Sequence, residues 1–175
     1  MAELFIIGQL SCAEQFPSNS LFCKWSIHAG SNWKLIAGHK EGQTQVDVPS
    51  YDNRTWWCHP IDIHYATKGV QGWPKFHVQI YHYDNYGRSE IYGYGFCYVP
   101  TTPGTHTVDC YTWRPVGNLR DEFRRFFLGG GAQLKAPDFA YCGTDRYRLQ
   151  TEALGVVHFD LNIIARNFRK YGVEL

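Results

Sequence analysis

Val157-His158-Phe159-Asp160-Leu161-Asn162-Ile163-Ile164-Ala165 is the stretch that decides the fold. Val157, Phe159, Leu161, Ile163 and Ala165 fall on one side of an extended chain, with His158, Asp160 and Asn162 on the other. A period of two marks a strand with one buried face. The same alternation recurs upstream. Leu21, Cys23, Trp25 and Ile27 oppose Lys24, Ser26 and His28. Ile61, Ile63 and Tyr65 oppose Asp62 and His64, and Phe76, Val78 and Ile80 oppose His77, Gln79 and Tyr81. Leu4 to Leu10 is apolar on both faces, which predicts a central or covered strand. Tyr92, Tyr94, Phe96 and Tyr98 set four rings on one face, with Gly93, Gly95 and Cys97 opposite. Glycines weaken a strand interior unless something large packs close by, so bulky neighbours are expected there. Turn signals at Ala29–Asn32 and Asp84–Gly87 separate these runs. About eight such strands make an antiparallel β-sandwich or barrel.

Composition agrees. Aromatic residues are 17% of the 175 positions, and Leu occurs only 11 times. That balance suits pleated, half-buried surfaces and excludes a helical bundle or coiled coil. The length fits a single domain spanning 1–175, with no linker, repeat or low-complexity tract. A net charge of +1 argues against a nucleic-acid partner. No run reaches 18 apolar residues, and Glu3 stands where a signal peptide would be basic, so a cytoplasmic chain is expected. Its six cysteines, Cys12, Cys23, Cys58, Cys97, Cys110 and Cys142, then read as free thiols, several of them buried.

One helix is expected near residues 118–128. Asn118 suits an N-cap, Leu119, Phe123, Phe126 and Phe127 form an apolar stripe, and Gly129 follows. Asp121 and Glu122 near its start, with Arg124 and Arg125 near its end, complement the helix dipole.

Catalytic and metal signals are absent. Gly129-Gly130-Gly131 follows a helix end, whereas a phosphate cradle precedes a helix start. His59 and His64, like His77 and His82, are five apart and point to opposite faces of a regular strand. No cysteine or carboxylate set completes zinc spacing, and Cys97 lies mid-strand. No cofactor is expected. Adjacent Trp56 and Trp57 cannot both face inward on one regular strand, which makes them candidate interface anchors.

The remaining landmarks carry a resemblance. Gly72-Trp73-Pro74, Asp84 and Gly87, Gly93-Tyr94-Gly95, Pro100 and Pro103-Gly104-Thr105-His106 resemble the signature of the B9 domain family, a diverged relative of the C2 β-sandwich. The similarity runs over essentially the whole chain, through Leu21-Phe22-Cys23-Lys24-Trp25, His59-Pro60-Ile61-Asp62, Thr112-Trp113-Arg114-Pro115 and Asp145-Arg146-Tyr147-Arg148-Leu149. It implies a non-catalytic scaffold that binds other B9-domain proteins, with the Meckel syndrome and tectonic proteins, at the transition zone and basal body of the cilium. There it would support cilium formation and the barrier at the ciliary base.

C2 domains often bind Ca²⁺ through several loop aspartates, and calcium wants six to eight oxygen ligands. Here Asp84 stands alone in its loop, and the sequence does not bring Asp52 or Asp145 to it, so no calcium site is expected. The alternative reading is a C2-type membrane-surface module. It would bind phospholipid without calcium through Arg120, Arg124 and Arg125.

Overall fold

The alternating runs form nine antiparallel strands in the computed structural model, which describes residues 1–117, 134 and 149–173. They are β1 (Ala2–Glu14), β2 (Leu21–His28), β3 (Trp33–Gly38), β4 (Glu41–Gln43) and β5 (Thr55–Thr67), followed by β6 (Lys75–Tyr83), β7 (Ser89–Tyr98), β8 (Gly104–Pro115) and β9 (Thr151–Arg166). A 3₁₀ turn at Phe168–Tyr171 follows β9. The count exceeds the expected eight because β4 has three residues, too few to show a period. The helix expected near 118–128 lies outside the described residues, as do Cys142, Asp145 and the arginines Arg120, Arg124 and Arg125.

Strand order is β3-β5-β1-β9-β8-β7-β6-β2-β4. β7 and β8 share only two register pairs, Tyr94↔Trp113 and Gly95↔Thr112. That narrow seam lets the sheet fold over into two layers. The front layer is β3-β5-β1-β9-β8, and the back layer is β7-β6-β2-β4. Side chains meet across the gap: Phe76 of β6 stacks on Phe159 of β9 with centroids 5.0 Å apart. Trp57 of β5 donates its indole N–H to the Leu21 carbonyl at 3.2 Å. Residues 44–47 close the far side. Thr44 exchanges hydrogen bonds with Cys23 of β2, while the Gln45 amide donates to the Trp57 carbonyl at 2.9 Å.

Each alternating set reads out as the core. Leu4, Ile6, Ile63, Phe76, Val78, Ile80, Val157 and Phe159 are fully buried. Burying each such side chain contributes about 1.5–3 kcal/mol. β1 is central, paired with β5 on one side and β9 on the other. Its second face is not covered, since Ile7 remains 41% exposed. On β7 the glycine face is the core face. A Cβ on Gly95 would sit 3.0 Å from Val78 Cγ2 and 3.1 Å from Cys110 Sγ. One on Gly93 would sit 2.9 Å from Leu154 Cδ1. The bulky neighbours are there; Tyr98 on the other face is 61% exposed, whereas Tyr94 is 4% exposed and Tyr92, at a register shift between β6 and β7, packs against the core.

Candidate functional site

The motif residues do not converge: Gly72-Trp73-Pro74, Asp84, Gly87 and Pro103-Gly104 build the ends of the sandwich, and Gly93-Tyr94-Gly95 lies within β7 at its seam with β8. At one end, Gly72 has φ of 74°, and an added Cβ would lie 2.5 Å from the Gly30 Cα. Gly30 N–H donates to the Gly72 carbonyl at 2.8 Å, so two glycines let two chain segments touch. Trp73 then donates to the Val99 carbonyl at 2.8 Å and meets the Trp33 ring edge-on at 5.1 Å. The Pro74 carbonyl accepts from Val99 N–H, and Pro103-Gly104 opens β8 at this same end, Gly104 with φ of 127°. Asp84 and Gly87 lie at the opposite end of β6. There Asp84 Oδ1 accepts the amides of Tyr86 and Arg88 at 2.9 and 2.8 Å, and Oδ2 accepts from Arg88 Nε at 2.8 Å. These bonds, the Arg88 amide foremost, hold its carboxyl below the usual range. Both oxygens are engaged in a turn, with Gly87 at φ of 79° completing it. Tyr94 is 4% exposed and its hydroxyl accepts the Leu134 amide at 3.1 Å.

No catalytic pair forms among the described residues. His158 is held through both ring nitrogens: Nδ1 lies 2.7 Å from Asp109 Oδ1 and Nε2 lies 3.1 Å from Glu14 Oε1. Glu14 also receives Arg54 Nε at 2.8 Å. Cys12 is the register partner of His158, yet both ring nitrogens already face carboxylates. Burial pushes the Cys12 thiol up, against a lowering by Arg54, so the pair does not make a nucleophile and its base. Among the described residues no three His, Cys, Asp or Glu side chains are grouped to hold a metal ion. A cleft of about 260 Å³ between Trp33, Tyr65, Ile27 and Lys40 falls below the roughly 300–1,000 Å³ of small-molecule sites.

The two tryptophans separate as strand geometry requires. Trp57 is 3% exposed, so it packs the core and offers no contact surface. Trp56 is 46% exposed on the outer face of β5, its amide held by Asp47 Oδ2 at 2.8 Å. Arg124 and Arg125, the other candidate contacts, lie outside the described residues.

Trp56 stands at one end of a face that sequence reasoning missed. On the outside of the front layer, Phe5 is the register partner of both His64 and Ile164, and its ring stacks on His64 at 4.0 Å. Ile7 is two residues along, and Ile164 is 51% exposed. The available signal was the pair of places where alternation fails, Phe5 and Ile7 on β1 and Ile164 on β9. Asp62 faces Ile7 across the β1–β5 ladder. Among the described residues, Asp160 accepts from neutral donors, Gln9 at 3.4 Å and Thr107 at 3.3 Å.

Comparison with known proteins adds an independent line. The family described as "B9-C2: Ciliary basal body-associated, B9 protein" matches residues 4–164. B9 domain-containing protein 2 of Danio rerio is 55% identical over 174 residues, covering 99% of both chains. B9 domain-containing protein 1 of Mus musculus is 30% identical over 176 residues, covering 98% of this chain and 85% of that relative. Among solved structures, the C2A domain of a plant extended synaptotagmin 1 aligns over 93% of each chain at 10% identity, with a TM-score of 0.45.

Proposed function

The chain belongs to the B9 domain family, and from that premise we propose that it is a non-catalytic scaffold component of the tectonic-like (Meckel syndrome) complex at the ciliary transition zone. It acts as one domain over 1–175, binds other B9-domain proteins, and works at the basal body and the base of the cilium. There it supports cilium formation and the diffusion barrier. One observation supports the reading: the likeness to B9 domain-containing protein 2 spans 99% of both chains at 55% identity and is not confined to the landmark motifs.

The chemistry of the described residues fits a binding role. The signature residues are engaged in corners, turns and the β7 strand, His158 is held by two carboxylates, and Cys23 is a fully buried thiol.

Co-expression with the B9 domain-containing protein 1 of the same organism, followed by size-exclusion chromatography at micromolar concentration, tests this. A single co-eluting peak containing both chains is expected. Separate elution of two folded proteins contradicts a direct complex.

A further inference from the structure

Period-two alternation leaves polar residues on the outer face of a half-buried sheet. The front layer departs from this at Phe5, Ile7 and Ile164, and the register brings the departures together. Phe5 and Ile164 are direct partners across the β1–β9 ladder, and Ile7 is a diagonal neighbour of Ile164. The central strands of the layer thus carry one contiguous apolar patch, with Ile7 41% and Ile164 51% exposed. An uncovered apolar patch with a polar rim is the signature of a docking site. We propose that this outer face is the protein-docking surface of the scaffold, and that its occupant is a protein face with an apolar centre and lysine or arginine at its rim.

The charges around the patch select that occupant. Glu3 is paired with Arg166 and Glu14 with Arg54, while Asp109 Oδ1 is hydrogen-bonded to the His158 ring at 2.7 Å. Among the described residues, Asp62 and Asp160, which flank the patch, have no basic partner. Two uncompensated carboxylates beside an apolar centre repel an anionic lipid surface and attract a cationic rim. The dimensions fit a protein. β5, β1, β9 and β8 have 12 to 16 residues each and β3 has six, so the layer presents a face about 40 Å long, enough to seat a protein partner of standard interface size. Trp56 lies on this same face, where an exposed indole anchors a partner. On the back layer Leu134 already lies on the Tyr94 hydroxyl.

This inference rests on the scaffold reading and sharpens it to a surface. The test titrates B9 domain-containing protein 1 of the same organism into wild-type chain and into Ile164→Arg, Asp62→Lys and Tyr98→Ala variants whose melting temperatures match the wild type. Tyr98 is 61% exposed on the back layer and serves as the control. Ile164→Arg should weaken binding tenfold or more, Asp62→Lys several-fold, and Tyr98→Ala not at all. Wild-type affinity should fall with added salt, and less steeply in Asp62→Lys. If Ile164→Arg does not fold, Asp62→Lys alone decides. Unchanged binding in the front-layer variants, with wild type binding, overturns the surface but leaves the scaffold. No binding by wild type removes both. Self-association or capture by anionic vesicles that Ile164→Arg abolishes, without loss of protein binding, overturns the occupant.

Discussion

Glycine 72 shows how much of this molecule is decided at single positions. Its φ of 74° suits a residue without Cβ, and the Gly30 backbone occupies the space a Cβ would need. Gly72→Ala should therefore lose on the order of 2–4 kcal/mol of stability, combining left-handed strain with a backbone clash. Gly69→Ala, whose Cβ would meet only Asn32 Nδ2 at 3.5 Å, is the control. Chemical denaturation of the pair checks this; equal midpoints contradict it. The adjacent tryptophans make a second contrast. Truncating buried Trp57 to Ala should cost about 3–5 kcal/mol, a large part of a domain's stability, whereas Trp56→Ala should stay within about 0.5 kcal/mol. Urea titrations that find the two equivalent would contradict the inward and outward assignment. The sequence announced that these tryptophans must differ, but not which was which. A backbone irregularity decides that: Cys58 has φ of 46°, and the β1–β5 register slips by one residue beside it. No short-range pattern displays such a bulge.

At the scale of elements, strand periodicity was legible wherever one face is buried and the other wet. β2, β5 and β9 present the faces their alternation predicts, and β6 does so on its apolar side, although His77 on the other side is 3% exposed. β7 was legible only in part. Its rings and glycines alternate cleanly, but the rule that large apolar residues go inward would have turned it over. The glycines face the core because Val78, Cys110 and Leu154 from neighbouring strands already fill that volume. Packing across sequence-distant strands decides the matter, and that is invisible in one strand. It can be tested by a double-mutant cycle. Gly95→Ala overpacks the site and should cost about 1–3 kcal/mol. With Val78→Ala beside it, the double variant should be more stable than the summed singles by about 0.5–3 kcal/mol. Strict additivity in denaturant melts would place Gly95 elsewhere. β4 was illegible for a different reason. Three residues carry no period, and what holds it is long-range: Gly42 packs on the Trp25 indole, and the segment beyond it ties β2 to β5.

Across the whole molecule, the fold class could be read from the sequence, and the docking face could not. Leu4 to Leu10, apolar on both faces, signalled a central or covered strand, and β1 is central. In the structure Phe5, Ile7 and Ile164 share an outward face because pairing brings residues 5 and 164 together, a contact no local window contains. The landmark residues, Gly72-Trp73-Pro74, Asp84, Gly93-Tyr94-Gly95 and Gly104, identified the family yet serve its architecture. Identity and binding therefore reside in different residues of one sandwich. The central claim is that the front layer meets the partner, and hydroxyl-radical footprinting of the chain alone and in complex with B9 domain-containing protein 1 tests it most directly. Oxidation of Trp56, Ile7 and Ile164 should slow at least several-fold in the complex while Tyr98 and Tyr86 react as before. Protection of Tyr98 with Trp56, Ile7 and Ile164 unchanged would contradict it.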